Sequence, residues 1–76
     1  GYDRFHAGLD IGADYGTTIH AAEQGIVMFA GWYGGYGNAV IIDHGGGITT
    51  LYGHSSELYV VEGQSVSRGQ AIAAVG

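Results

Sequence analysis

The chain has 76 residues, 46% hydrophobic and 12% charged, with a net charge of −5 at pH 7. This is the composition of one small folded domain rather than a disordered tail. With Arg4 and Arg68 as its only cations it lacks the clustered basic charge that nucleic acids and anionic membrane surfaces demand, and no apolar run approaches the roughly 20 residues of a membrane span.

Sixteen glycines and no proline point to short strands joined by glycine turns. The first candidate strand is Arg4-Phe5-His6-Ala7-Gly8-Leu9-Asp10-Ile11-Gly12. Its apolar residues alternate with His6, Gly8, Asp10 and Gly12, a period of two that puts His6 and Asp10 on one face. Histidine and aspartate are both good zinc ligands. Four residues of flat strand would hold their α-carbons roughly 13 Å apart, so a bend at Gly8 is needed for both to reach one ion. A strand end with one surface histidine and one surface aspartate is the alternative.

Ala13 to Thr17 reads as a turn, Thr18 to Ala22 as a short strand, Glu23-Gln24-Gly25 as a second turn and Ile26 to Ala30 as a buried strand. Trp32 to Asn38 is an aromatic, glycine-rich loop. The β-branched run Ala39 to His44 is a strand, Gly45-Gly46-Gly47 a tight hairpin turn and Ile48 to His54 the return strand. Ser55-Ser56-Glu57-Leu58 suggests one helical turn capped by Ser55. Two glycine turns flank Val66, and Ala71 to Val75 is a final apolar strand whose open edge would invite self-association. No apolar pattern of period 3.6 runs for ten residues, so the expected architecture is all-β: a small antiparallel sheet or sandwich without a substantial helix.

Among the reactive side chains, His54 closes a strand before the polar Ser55-Ser56, where it could act as general base or donate to a developing oxyanion. A surface histidine at a loop start is the plainer reading. His44, at a predicted hairpin tip, reads as a turn residue, and His20 as structural or surface. With no cysteine and no Gly-x-Ser-x-Gly elbow, a covalent nucleophile lacks a candidate.

Three segments together resemble the lysostaphin-type (LytM-like) zinc metallopeptidases, which cut peptide cross-links of bacterial peptidoglycan. Arg4 to Ile11 is similar to that family's His-x-x-x-Asp metal motif with its central glycine. Val40 to Gly47, running into Thr50-Leu51-Tyr52-Gly53-His54, resembles its Asp-His-Gly hairpin and Tyr-x-His strand end. Gly63-Gln64-Ser65-Val66-Ser67-Arg68-Gly69-Gln70 matches its Gly-x-x-Val-x-x-Gly-Gln turn. The resemblance implies a β-sheet groove of the duplicated hybrid motif type, His6 and Asp10 as two of three protein ligands to Zn2+, and His54 as a catalytic histidine near the metal-bound water. It also implies an extracytoplasmic setting, in the periplasm, the cell wall or a phage particle. Trp32, Tyr33 and Tyr36 would line the rim of the groove against a slim peptide bridge.

One family feature is missing. The third ligand and a second catalytic histidine belong to a His-x-His pair that this chain lacks. Residues 1–76 therefore read as a single truncated peptidase domain without its C-terminal His-x-His segment, weakly active or inactive alone. The alternative is a degenerate module that binds and activates other wall hydrolases. Biotinyl or lipoyl carriers and the sugar-phosphotransferase enzyme IIA domain share the Gly-Gln turn, but a carrier needs an exposed lysine and this chain has none.

Overall fold

Ala39-Val40-Ile41-Ile42 is apolar at every position, as a strand covered on both faces should be. The computed structural model, which describes residues 13–76, places it at the centre of a sheet, with Ala39, Val40 and Ile42 fully buried. The described strands are β1 (Thr18–His20), β2 (Gly25–Trp32), β3 (Asn38–Asp43), β4 (Thr49–Tyr52), β5 (Ser55–Leu58), β6 (Ser65–Val66) and β7 (Ala71–Val75); one 3-10 turn, Gly34–Tyr36, links β2 to β3. They form a four-stranded sheet in the order β4-β3-β2-β6 and a three-stranded sheet in the order β1-β7-β5. Every described pairing is antiparallel.

Between the two sheets lies one apolar core. Ile19, Val27, Val40, Ile42, Tyr52, Val60, Val66, Ile72 and Ala73 meet there, and Val27, Val40, Ile42, Tyr52 and Ile72 are the largest side chains wholly removed from water. Each fully buried aliphatic contributes about 1.5–3 kcal/mol. The register of β3 against β4 (Val40↔Tyr52, Ile42↔Thr50) sends these residues inward, while Ile41↔Leu51 point to the opposite face. The expectation of an all-β, antiparallel sandwich with glycine turns holds.

The turns follow their local chemistry. At the β3–β4 connection Gly45, Gly46 and Gly47 all have positive φ, and His44 N–H donates to Ile48 O at 2.9 Å to close the loop. Two later turns share one device. Gln64 Oε1 accepts from Val61 N–H at 3.2 Å and Gln70 Oε1 from Ser67 N–H at 3.0 Å, each side chain reaching back three residues.

Three local expectations change. Ser55–Leu58 is strand β5 rather than a helical turn, because Ser55 pairs with Val75 and Leu58 with Ala73, and that ladder outweighs a cap with no helix behind it. Ala71–Val75 is the centre of its sheet, between β1 and β5, so it offers no open edge. Strand β2 runs on to Trp32 instead of yielding to the loop there, and the strand is half-buried rather than buried, with Ile26 and Met28 exposed. The first predicted strand, with His6 and Asp10, lies outside the described residues.

Candidate functional site

The β3–β4 hairpin carries a histidine at each end, and the two sit in opposite circumstances. His44 follows β3 next to the glycine turn. Its Nδ1 donates to Gln24 O at 2.8 Å, and its Nε2 lies 2.7 Å from Thr50 Oγ1. The Thr50 hydroxyl is hydrogen-bonded to that of the buried Tyr52 at 2.6 Å, and Ala22 N–H donates to the same Tyr52 oxygen at 2.9 Å. This chain of bonds ties the hairpin to the turns before β2 and uses both ring nitrogens of His44. The reading of His44 as a turn residue holds, with a further role as a brace. His20 is exposed and its Nδ1 donates to Gly69 O at 2.9 Å, again a structural bond.

His54 is at the far end, about 20 Å away along the strand. Its side chain is exposed, and among the described residues neither ring nitrogen has a hydrogen-bond partner. Its backbone, in contrast, is held firmly. His54 N–H donates to Tyr36 O at 2.7 Å, and Gly76 N–H donates to His54 O at 2.8 Å. Between those two bonds His54 adopts φ 54°, the one described non-glycine residue at positive φ. An L side chain there costs about 1–2 kcal/mol, and such strain clusters at functional sites.

Aromatic rings lead up to it. Phe29 and Tyr33 have centroids 5.4 Å apart, Tyr33 and Tyr36 stack at 5.8 Å, and Tyr36 lies tilted against His54 at 6.4 Å. A Cβ at Gly53 would stand 3.2 Å from Tyr36 O and 3.3 Å from Tyr36 Cβ, a tight fit that the bare backbone of Gly53 avoids. The register of β2 puts Trp32 and Phe29 on opposite faces. Trp32 pairs with Asn38 on the side that carries Ala30 toward the core, whereas Phe29 and Gly31 face the other way. Sequence reasoning singled out His54 and the aromatic loop but missed the main-chain link between them; Gly53, just before the histidine, is the signal that could have pointed to a close backbone approach.

An open depression of about 560 Å³ lies at the His44 end, walled by Gln24, Ile26, Asp43, His44 and Ser65 among others. There the His44 ring is already engaged, and Asp43 Oδ1 accepts from Gly45 N–H at 2.8 Å, so its two titratable side chains are both tied into the fold. Size alone does not make it the reactive site. The described residues contain no group of three or more His, Asp or Glu side chains that could hold a metal ion. The expected ligands His6 and Asp10 lie outside the described residues, and the chemistry legible in the described ones is that of the His54 imidazole, at the opposite end of the hairpin, and the rings beside it.

The sequence model of Peptidase family M23 matches residues 4–76. The chain is 45% identical over 73 residues to a DD-carboxypeptidase/endopeptidase Mpg of Neisseria meningitidis serogroup B, covering 96% of this chain and 17% of that protein. It is 44% identical over 69 residues to the murein hydrolase activator EnvC of Escherichia coli, covering 91% of this chain and 16% of that one. A structure of Helicobacter pylori Csd3 superposes with a TM-score of 0.82 at 38% identity, over 93% of this chain and 20% of that one. The chain thus spans about a sixth of the length of these curated relatives. The resemblance to the lysostaphin-type enzymes is borne out, and since the match runs through both sheets and the hairpin that carries His54, the chain belongs to peptidase family M23.

Proposed function

We propose that this chain is part of a zinc-dependent endopeptidase domain that hydrolyses peptide cross-links of bacterial peptidoglycan outside the cytoplasm. The observation that carries the reading is His54: an exposed imidazole whose two nitrogens have no partner among the described residues, on a backbone held at an unfavourable φ by bonds from two sides. A surface histidine without a task has no reason to stay in a conformation that glycine or asparagine adopts more cheaply. Free of competing bonds, a ring nitrogen of His54 can take a proton from an attacking water or donate to the oxyanion that forms at the scissile carbonyl. The stacked faces of Tyr33 and Tyr36 offer a wall against which a thin peptide can lie beside that imidazole.

In this reading His6 and Asp10 are two protein ligands of the ion, and the third is the histidine of a His-x-His pair that residues 1–76 do not contain. Zinc, when bound, polarises the carbonyl and lowers the pKa of a coordinated water toward ~7. Gly76 donates to the carbonyl of His54, so the chain passes directly alongside the histidine at that point. Residues 1–76 alone would then bind zinc weakly, and calorimetric titration giving nanomolar affinity would contradict the assignment of a ligand beyond them.

A second reading has support from the relative named as a murein hydrolase activator: a domain that binds and stimulates another wall hydrolase without cutting. The two separate in one experiment. The full-length protein is incubated with purified peptidoglycan, with zinc or with a chelator, and the products are resolved by chromatography. An endopeptidase converts cross-linked muropeptides to monomers, and loses this on chelation and in His54→Ala. An activator leaves the cross-links intact by itself, and stimulates a partner hydrolase equally well with or without the chelator.

A further inference from the structure

The five residues between β2 and β3 do more than border the site. Tyr33 N–H donates to Gly37 O at 2.8 Å, Tyr36 N–H to Tyr33 O at 3.0 Å and Gly37 N–H to Gly34 O at 3.0 Å, so the loop is closed by its own backbone bonds. Its two tyrosines stack on each other, and Tyr33 rests against Phe29, which is itself part of β2. The loop is therefore fastened to the sheet through rings and closed within itself. From that base it presents one carbonyl, that of Tyr36, to one amide, that of His54, at 2.7 Å.

This bond bears on a backbone that would otherwise relax. A residue at φ 54° gains by rotating to negative φ unless both flanking peptide groups are held. On one side the holder is Gly76, through the carbonyl of His54; on the other it is Tyr36, through the amide. The Tyr36 ring also limits the imidazole itself, at a centroid distance of 6.4 Å and an interplanar angle of 48°. Gly53 has no Cβ to push this arrangement apart.

We infer that Tyr36 is a positioning residue for His54: its carbonyl pins the His54 amide, and its ring, braced by Tyr33 and Phe29, sets where the imidazole stands. The inference deepens the proposed hydrolase function and rests on it for its kinetic consequence. Alanine keeps the carbonyl at residue 36 but loses the ring that seats it against Tyr33 and His54, whereas phenylalanine keeps both. A displacement of about 1 Å at a catalytic group costs on the order of 100-fold in rate, and the loss falls on turnover because His54 acts on the reacting atoms rather than on remote binding.

Hydrolysis of a cross-linked muropeptide is measured on the full-length, zinc-loaded protein for wild type, Tyr36→Ala, Tyr36→Phe, Gly53→Ala and His54→Ala. For Tyr36→Ala, kcat is expected to fall by about 100-fold with KM changed by less than about threefold. Tyr36→Phe should keep most of the wild-type kcat. Gly53→Ala crowds Tyr36 from the other side, with a Cβ 3.2 Å from its carbonyl oxygen; it should show a smaller defect of the same kind, a fall in kcat of about 10-fold, and it takes over the test where Tyr36→Ala does not fold. Wild-type turnover in Tyr36→Ala, or an equal loss in Tyr36→Phe, overturns the inference. Hydrogen exchange at the His54 amide is followed in parallel, and Tyr36→Ala should accelerate it by about 10-fold or more while Tyr36→Phe leaves it unchanged. If wild type and His54→Ala are equally inactive, the hydrolase reading fails by itself. The exchange rates then decide the positioning role: faster exchange in Tyr36→Ala upholds it, and unchanged exchange ends it.

Discussion

His44 and His54 stand at opposite ends of one hairpin and use the same side chain for contrary ends. The ring of His44 is consumed by Gln24 O and the Thr50 hydroxyl, and through Thr50 it joins the buried Tyr52. The ring of His54 is exposed, and the bonding has moved to its backbone, which is held on both sides at positive φ. A histidine that stabilises the fold commits its nitrogens to the protein; His54, the proposed catalytic histidine, has no ring partner among the described residues, and its position is fixed by the main chain. The distinction shows in the bonding pattern, and the nearby depression, despite its volume, sits at the structural end.

If that division is right, His54→Ala removes a group that acts on the reacting atoms, and hydrolysis of cross-linked muropeptide should fall by about 10³-fold. The midpoint of urea unfolding should not drop. A comparable loss of stability would show that His54 is part of the framework after all. His44→Ala is the reverse case. It breaks two hydrogen bonds, stranding the Gln24 carbonyl and leaving the Thr50 hydroxyl one partner short, so stability should fall by about 2 kcal/mol in chemical denaturation while kcat of the folded protein holds within about twofold. A selective loss of kcat there would erase the distinction between the two ends.

Tyr52→Phe tests the brace one step further in. The hydroxyl it removes accepts from Ala22 N–H and bonds to Thr50, within a side chain that is wholly buried. The expected cost is about 1–1.5 kcal/mol, with faster hydrogen exchange at the Ala22 amide as its local mark. The smallest effect has the opposite sign. His54→Gly relieves the positive φ and should stabilise the fold by about 0.5–1 kcal/mol, the left-handed strain less the added chain entropy of glycine, while hydrolysis falls as in His54→Ala. Greater stability joined to lost activity would be the direct sign of a histidine kept in place for function.

The hairpin was legible from Ala39 to Leu51 because its signals are local: a β-branched run, three glycines that tolerate positive φ, and a second run returning. The Ser55–Leu58 segment misled because a serine before a glutamate and a leucine reads as a helix start within four residues. Its fate was set by Val75 and Ala73, some twenty residues on. The ordered motifs also led to the family, and with it to His54; no local pattern could say that Tyr36 would deliver its carbonyl to the amide of that histidine.

By itself the sequence determined the alternation of strand and turn, the all-β architecture and the membership of peptidase family M23, since these rest on short-range periodicity, glycine placement and motif order. Only the tertiary structure decided that Ala71–Val75 is an interior strand, that Trp32 and Phe29 face opposite ways, and that of two hairpin histidines one braces the fold and one stands open. Those outcomes depend on which distant strands pair, and on where a carbonyl lands once they have. Pairing between distant segments of a chain leaves no periodic trace along it.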